Sequence, residues 1–159
     1  MISFSLRRGH LTKRFVWQII GLIAVLAAAS CASKPPNVFI DPVPSGKVTS
    51  TYGFRSSGFH HGIDLAAPRG TEVRAAKAGK VIYRGRRKGF GRLVIIDHGR
   101  GEHTYYAHLS SYTTRKGRSV KRGQRIGRVG KSGRASGHHL HFEIRQNGKS
   151  VNPQTYISF

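Results

Sequence analysis

Residues 138–143 read His-His-Leu-His-Phe-Glu, and from His139 onward polar and apolar side chains alternate with a period of two. Such alternation is typical of a β-strand whose two faces meet different surroundings. In an extended conformation, Leu140 and Phe142 point into a core, while His139 and His141 lie side by side on the other surface. The stretch therefore predicts an element of the fold and a pair of imidazoles available for chemistry.

The chain around this stretch predicts an all-β domain, a small sheet or sandwich. From Gly46 onward, β-branched and aromatic runs alternate with glycine-rich turns, and no segment has a sustained helical period. The predicted strands are Lys47–Thr51, Gly79–Tyr83, Leu93–Asp97, His103–His108, Gln124–Val129 and Leu140–Arg145. The predicted turns are Arg84–Gly91, Gly99–Gly101, Gly130–Gly137 and Asn147-Gly148.

The N-terminus predicts export. Residues 1–14 carry four cations and no acid, and residues 15–29 are almost entirely apolar, which is the pattern of a secretory signal. The apolar stretch is shorter than the roughly 20 residues of a spanning helix, so we favour export with cleavage over retention as an anchor. Cys31 is the only cysteine, and its position resembles a bacterial lipoprotein processing site, where the cysteine is lipidated. Ordinary signal-peptidase cleavage is the alternative.

Three segments follow from this pattern. Residues 1–31 are the predicted signal, ending at the lipoprotein cysteine, and residues 45–159 are the predicted domain. Residues 32–44 contain four of the six prolines and predict an extended tether. Fully extended, these 13 residues reach roughly 40 Å.

The net charge restricts the partners. The chain carries a formal +22, and removing residues 1–31 takes away four cations and no acid, which leaves +18. Such a charge implies anionic partners. For an exported chain we expect anionic envelope polymers or lipids. We do not expect nucleic acid, because no basic strand interleaved with aromatic residues is present.

Two further clusters accompany the His-Leu-His stretch. His60 and Asp64 lie four residues apart around a glycine, and His108 follows Tyr-Tyr-Ala. Two imidazole nitrogens and one carboxylate oxygen leave a tetrahedral zinc with an open fourth position, as in catalytic sites. Additional histidines can then exchange protons. Together the clusters predict a metal site with acid–base groups beside it.

These stretches also resemble a known family. The segment from about Val48 to Tyr156 is similar to the lysostaphin-type (LytM-type) zinc endopeptidases of bacterial cell walls. The resemblance implies an antiparallel β fold with a substrate groove and a single Zn²⁺ at its floor. The matching stretches, in the family's order, are Tyr52–Arg55, His60–Pro68, Gly79–Val81, Tyr105–Ser110, Gly123–Gly127, His139–Glu143 and Val151–Pro153.

The resemblance assigns roles by position. His60, Asp64 and His141 resemble the family's zinc ligands, and His108 and His139 resemble its two catalytic histidines. Which of the two is the general base stays open. The implied function is hydrolysis of peptide crosslinks or bridges in peptidoglycan by an enzyme lipid-anchored through Cys31 to the outer membrane, facing the periplasm. The alternative is a non-enzymatic regulator that binds peptidoglycan or activates a cell-wall amidase.

Several neighbouring residues have two interpretations. Arg55 contacts substrate at the groove edge or forms a structural ion pair, and Glu143 supports a metal ligand or is an exposed acid. His138 is a candidate groove contact. His61 is predicted to lie at the surface or to support a metal ligand without binding the metal. Asp97 and His98 are predicted to be structural.

Overall fold

The computed structural model describes residues 39–159; the predicted signal, Cys31 and the first part of the predicted tether lie outside them. Within residues 39–159, no helix is long and apolar enough to cross a membrane. These residues form one short 3-10 helix, Pro153–Thr155, and thirteen strands. The strands are β1 (Lys47–Ser50), β2 (Gly53–Arg55), β3 (Gly58–His60), β4 (Ile63–Ala66), β5 (Glu72–Arg74), β6 (Gly79–Arg87), β7 (Gly91–Asp97), β8 (Glu102–Ala107), β9 (Ser111–Tyr112), β10 (Ser119–Val120), β11 (Arg125–Arg128), β12 (His139–Gln146) and β13 (Lys149–Val151).

Three antiparallel sheets make up the domain. The largest has the order β1-β4-β12-β8-β7-β6-β10, with β13 pairing the end of β12 that β4 leaves free. The second has the order β5-β11-β9, and the third is the β2–β3 hairpin. The prediction of an antiparallel all-β domain is therefore confirmed.

The main core lies between the large sheet and the three-stranded sheet. Ile63 and Phe142 of the large sheet belong to the same buried cluster as Val73 of β5 and Ile126 of β11. Each of these side chains is fully removed from water. Burial of apolar surface of this kind contributes about 25 cal/mol per Å² and is the main force that holds the two sheets together.

The other face of the large sheet is also covered, but by fewer residues. Leu93 and Ile95 of β7 pack there with Ala107, while their neighbours Val94 and Ile96 face the main core. Burial on both faces explains why β7 is apolar at four successive positions. Tyr83, Phe90 and Tyr105 pack against this smaller cluster, on the face that carries the candidate site.

The domain begins earlier than the sequence predicted. Phe39 and Val43 are buried in the main core. The Ile40 amide donates to Ala76 O at 2.8 Å, and the Arg74 amide donates to Pro42 O at 2.9 Å. Residues 39–44, assigned to the tether from their prolines, thus pack against the domain, because their apolar side chains fill the space beside β5.

Strand β6 is longer than predicted. It continues through Arg87, so most of the predicted Arg84–Gly91 turn is paired with β7. The pairing uses backbone groups, and the Arg84 guanidinium stacks over the Tyr112 ring at 4.3 Å. The sequence did not predict this part of the strand, because its arginines and glycines form no apolar pattern and its pairing uses only backbone groups.

A buried chain of hydrogen bonds joins the large sheet to the segment before β6. The Ala76 amide donates to the Tyr106 hydroxyl at 2.8 Å, and that hydroxyl lies 2.9 Å from Thr104 Oγ1. Thr104 Oγ1 lies 2.7 Å from His98 Nε2, and His98 Nδ1 donates to Ala78 O at 2.8 Å. Burial lowers the pKa of His98, so the neutral ring that this chain requires is favoured.

Removing the Tyr106 hydroxyl tests this chain. Tyr106→Phe leaves the buried Ala76 amide without its acceptor, which costs about 1–3 kcal/mol of unfolding free energy. Urea denaturation measures the change. Tyr83→Phe is the control, because the Tyr83 hydroxyl contacts only the exposed Arg86 carbonyl at 2.9 Å, and it should change stability by less than about 0.5 kcal/mol. Equal losses of unfolding free energy in the two variants would contradict a stabilising role for the Tyr106 hydroxyl.

Candidate metal centre

The register of β12 brings the candidate residues together. His141 lies opposite Asp64 of β4 on one side and opposite Ala107 of β8 on the other. Leu140 and Phe142 point into the main core. His139 and His141 therefore share the opposite face, as the alternation predicted. His108 follows Ala107 directly, so three sequence clusters meet at one point of the sheet.

Gly62 allows the segment from His60 to Asp64 to pass close to β12. A Cβ atom at this position would lie 2.3 Å from Phe142 O and 2.9 Å from Glu143 Cγ. No side chain fits such a space, which explains a glycine between the two candidate ligands. The close approach lets the buried His60 ring reach the His141 ring, with ring centroids 4.9 Å apart.

His60, Asp64 and His141 form a compact donor set. His60 Nε2 lies 3.1 Å from Asp64 Oδ1, His141 Nδ1 lies 2.9 Å from the same oxygen, and the two nitrogens are 3.0 Å apart. Ligand atoms around a tetrahedral zinc are separated by about 3.3 Å, given bonds of about 2.0–2.1 Å. Small outward shifts of the three side chains would therefore make room for one ion between their donor atoms. The residues thus fit zinc.

Hydrogen bonds select the nitrogen that each imidazole presents. Thr51 O lies 2.8 Å from His60 Nδ1. A carbonyl oxygen only accepts, so the proton of a neutral His60 resides on Nδ1 and the Nε2 lone pair faces the centre. For His141 the assignment is reversed, because Glu143 Oε1 lies 2.9 Å from Nε2 and leaves Nδ1 toward the centre.

The electrostatics of the donor set favour a cation. Burial opposes ionisation of Asp64, but the His141 and His60 rings, when protonated on the nitrogens that face it, outweigh burial and hold its pKa well below the usual range. Burial likewise lowers the pKa of His141, and its hydrogen bonds to Asp64 and Glu143 reverse this effect and raise it. An ionised carboxylate at the floor of the groove therefore provides the negative charge that a metal ion requires.

The two candidate catalytic histidines stand beside the donor set. His139 Nε2 lies 3.8 Å from Asp64 Oδ1, and its Nδ1 is 3.1 Å from Gly137 O. The His108 ring centroid is 4.8 Å from that of His139 and 5.8 Å from that of His141. His108 Nδ1 donates to Ser132 O at 2.7 Å, so its Nε2 lone pair is free for proton exchange.

An unusual backbone conformation places His108. Strict alternation along β8 would direct its side chain to the same face as the core residue Tyr106. Instead His108 has φ 59°, in the left-handed region that L-residues adopt at a cost. The His108 amide donates to Phe90 O at 2.9 Å, which helps to hold this conformation. The turn brings the ring to the metal side of the sheet.

The groove around the centre contains residues that the sequence did not single out. Phe90 packs against the His141 ring at 5.9 Å between centroids. Other lining residues come from the loop before β12 and have no distinctive sequence signal: Arg134, Ala135 and Ser136. Loops with such residues are recognised only once the strands they connect have been placed.

The residues with two interpretations are now located. Arg55 lines the groove and also lies 3.6 Å from Asp64 Oδ2 through Nη1, so both of its predicted contacts are compatible with the structure. Glu143 is 1% exposed, which excludes the exposed-acid interpretation. His61 is exposed and lies 2.9 Å from Ser150 Oγ through Nδ1. His138 is exposed immediately before β12 and is not among the residues that line the groove, unlike the predicted groove contact.

His108 should titrate far below an ordinary histidine. Its pKa is lowered to about 4, chiefly by burial and partly by the neighbouring imidazoles His139 and His141. The ring is therefore neutral at pH 7 and gains a proton only as the pH falls toward 4. Histidine ring resonances followed by NMR during an acid titration of the protein without added zinc should give this midpoint. A midpoint near 6.5 would show that the ring is solvated.

Comparison with known proteins agrees with this geometry. Residues 58–153 match the model of peptidase family M23. The chain is 43% identical over 120 residues to the DD-carboxypeptidase/endopeptidase Mpg of Neisseria meningitidis serogroup B, covering 72% of this chain and 28% of that protein. It is 42% identical over 113 residues to the murein hydrolase activator NlpD of Escherichia coli K12, covering 70% of this chain and 29% of NlpD. The match thus spans less than a third of either relative.

Solved structures share the fold. A mutant catalytic domain of the prophage-encoded M23 protein EnpA from Enterococcus faecalis superposes with a TM-score of 0.69 at 36% identity, covering 75% of this chain and 97% of that domain. A zinc-containing peptidase from Vibrio cholerae gives a TM-score of 0.65 at 32% identity, covering 73% of this chain and 38% of that one. With the family model matching more than half of its length, this chain belongs to peptidase family M23.

Proposed function

We propose that this protein is a zinc-dependent endopeptidase that hydrolyses peptide bonds in bacterial peptidoglycan. One observation carries the proposal: four imidazoles and one carboxylate meet at the floor of a single groove. Each imidazole also has one nitrogen bonded to a fixed acceptor, so the other nitrogen faces the groove. Such an arrangement suits metal-assisted hydrolysis of a peptide.

The proposed division of work follows from these contacts. His60, Asp64 and His141 hold the zinc ion, which, when bound, supplies an acidified water and polarises the substrate carbonyl. His108 and His139 exchange protons at Nε2, because Nδ1 of each is bonded to a backbone carbonyl. A neutral imidazole can accept a proton from the nucleophile and deliver it to the leaving amine. The rigid backbone acceptors keep both rings oriented for this transfer.

The charges of the groove favour an anionic substrate. Arg55 and Arg134 line it, and its two acids, Asp64 and Glu143, are engaged with histidines. Stem-peptide crosslinks carry free carboxylates, whereas a glycine bridge is uncharged. Together with the similarity to Mpg, named a DD-carboxypeptidase/endopeptidase, this supports cleavage of crosslinks between stem peptides. A glycine bridge is the competing substrate.

Digestion of purified sacculi, followed by mass spectrometry of the released fragments, tests the proposal. The zinc-loaded protein should generate new peptide termini, and the mass of each fragment identifies the bond. His108→Ala and His139→Ala should retain zinc but lose about 10²- to 10⁴-fold in rate, the usual contribution of general acid–base catalysis. His141→Ala should lose both zinc and activity, because it removes one proposed ligand.

A neighbouring histidine provides the control for this experiment. His138→Ala removes an exposed imidazole next to His139 and should preserve both zinc content and cleavage. Zinc loss in His139→Ala would mean that a ligand has been misassigned. Intact sacculi after treatment with the zinc-loaded wild type would contradict the proposed activity.

A second function is supported by the similarity to NlpD, which is named a murein hydrolase activator. In this alternative, the groove binds peptidoglycan or an amidase without turnover. The complete set of candidate side chains in the groove supports the enzyme instead. Stimulation of a purified amidase by both the wild type and His139→Ala, with no cleavage by either alone, would establish the activator.

The proposed location is the cell envelope, with Cys31 lipidated and the domain facing the periplasm. Because the chain packs from Phe39 onward, at most residues 32–38 separate Cys31 from the domain, which limits the reach to about 25 Å. Exposed cations on the β6–β7 hairpin would add attraction to anionic polymers or lipids: Arg84, Arg86, Arg87 and Lys88.

Cell fractionation tests the anchor and the basic surface together. Cys31→Ser should release the protein from the membrane fraction, because the lipidated residue is lost. Any association that remains should disappear between about 0.1 and 1 M salt, as the Debye length falls from about 10 to 3 Å. Unchanged membrane association of Cys31→Ser at high salt would contradict both the lipid anchor at Cys31 and the electrostatic attraction of the basic surface.

A further inference from the structure

Glu143 is a buried carboxylate with no role in the ligand set or in proton exchange. It is 1% exposed and lies two residues after His141 on β12, so both side chains project from the same face of the strand. Taking a carboxylate out of water is costly unless both oxygens find charged or hydrogen-bonding partners. Its retention at the back of the groove therefore calls for partners and a function.

Each oxygen of Glu143 has one partner. Oε1 lies 2.9 Å from His141 Nε2, and Oε2 accepts from Arg145 Nε at 2.6 Å. The Arg145 guanidinium stacks over the Tyr105 ring at 4.4 Å, which holds it in place. His141, Glu143 and Arg145 thus occupy alternate positions of one strand and form a continuous relay from the centre toward the surface.

This relay determines which nitrogen of His141 is available. A neutral imidazole carries one N–H, and an acceptor at Nε2 retains the proton there. Nδ1 also faces a carboxylate oxygen, Asp64 Oδ1, at 2.9 Å. With a metal ion bound to Asp64 and to the Nδ1 lone pair, the one remaining proton would reside on Nε2, where Glu143 accepts it. His60 reaches the opposite assignment through the Thr51 carbonyl.

We propose that Glu143, held by Arg145, is a positioning residue that fixes the tautomer and orientation of His141 and so presents Nδ1 to zinc. The inference rests on the proposed function only in treating His60, Asp64 and His141 as a zinc site. Carboxylates that orient metal-ligating histidines typically contribute 10- to 100-fold to metal affinity. Arg145 contributes by holding the carboxylate in one rotamer through the hydrogen bond from its Nε to Glu143 Oε2.

Glu143→Gln separates this role from simple packing. The glutamine has almost the same shape, but its amide nitrogen donates, so it cannot accept from both His141 and Arg145. The full chain is purified, and its zinc dissociation constant is measured by competition with a chromogenic chelator. We expect 10- to 100-fold weaker zinc binding. Histidine ring ¹⁵N shifts of the zinc-loaded protein should also show a changed hydrogen bond at His141 Nε2.

Glu102→Gln is the matched control. Glu102 is a partly buried acid on β8 that pairs with Lys77 and does not touch the candidate ligands. It should leave the zinc dissociation constant within about twofold, well inside the effect expected at Glu143. If Glu143→Gln fails to fold, Arg145→Met is the second variant. It removes the guanidinium that holds Glu143, at the more exposed end of the relay, and should weaken zinc binding by a smaller factor.

The outcomes separate this inference from the proposed function. Equal zinc affinity and unchanged His141 ring shifts in the wild type and Glu143→Gln would overturn the positioning role alone. In the folded Arg145→Met variant, unchanged zinc affinity would remove Arg145 from the relay. Absence of zinc binding by the wild type would overturn the metal assignment and this inference together.

Discussion

Burial of β12 on both faces is the constraint on which the rest of the molecule depends. Leu140, Phe142 and Ile144 fill the main core, and the odd-numbered side chains, from His139 to Arg145, lie on the face of the site. A slip of one residue in its pairing would exchange the two sets and place imidazoles and a carboxylate in the core. Packing of Leu140, Phe142 and Ile144 therefore fixes the position of the chemical groups.

The site is organised largely by fixed acceptors. Carbonyls of Thr51, Ser132 and Gly137 each bind Nδ1 of a histidine, and a carboxylate binds Nε2 of the fourth. Because each ring is already held at one nitrogen, the rings need little reorganisation during a reaction. Such preorganisation is the main advantage that a rigid protein site has over groups in water. The positive φ of His108 costs local conformational energy, and it belongs to the same arrangement of oriented rings.

Overall similarity does not distinguish the two functions discussed for this chain. Its identity to Mpg, named a peptidase, and to NlpD, named an activator, differs by one percentage point. The distinction depends on a few side chains, because fold and activity are separable. The presence of all five candidate groups in one groove, with their lone pairs directed inward, is therefore more informative than the degree of relatedness.

The sequence alone determined the all-β class, the two faces of β12 and the candidate residues, because period-two alternation and the His and Asp motifs are local. It placed β1, β6, β7, β8, β11 and β12. It missed seven strands, each of four residues or fewer: β2, β3, β4, β5, β9, β10 and β13. Only the tertiary structure decided that residues 39–44 pack on the domain and that Glu143 is buried. It alone decided the direction of the His108 side chain, because the positive φ of His108 is held by a contact with Phe90 O, and burial and such contacts join segments far apart in the chain.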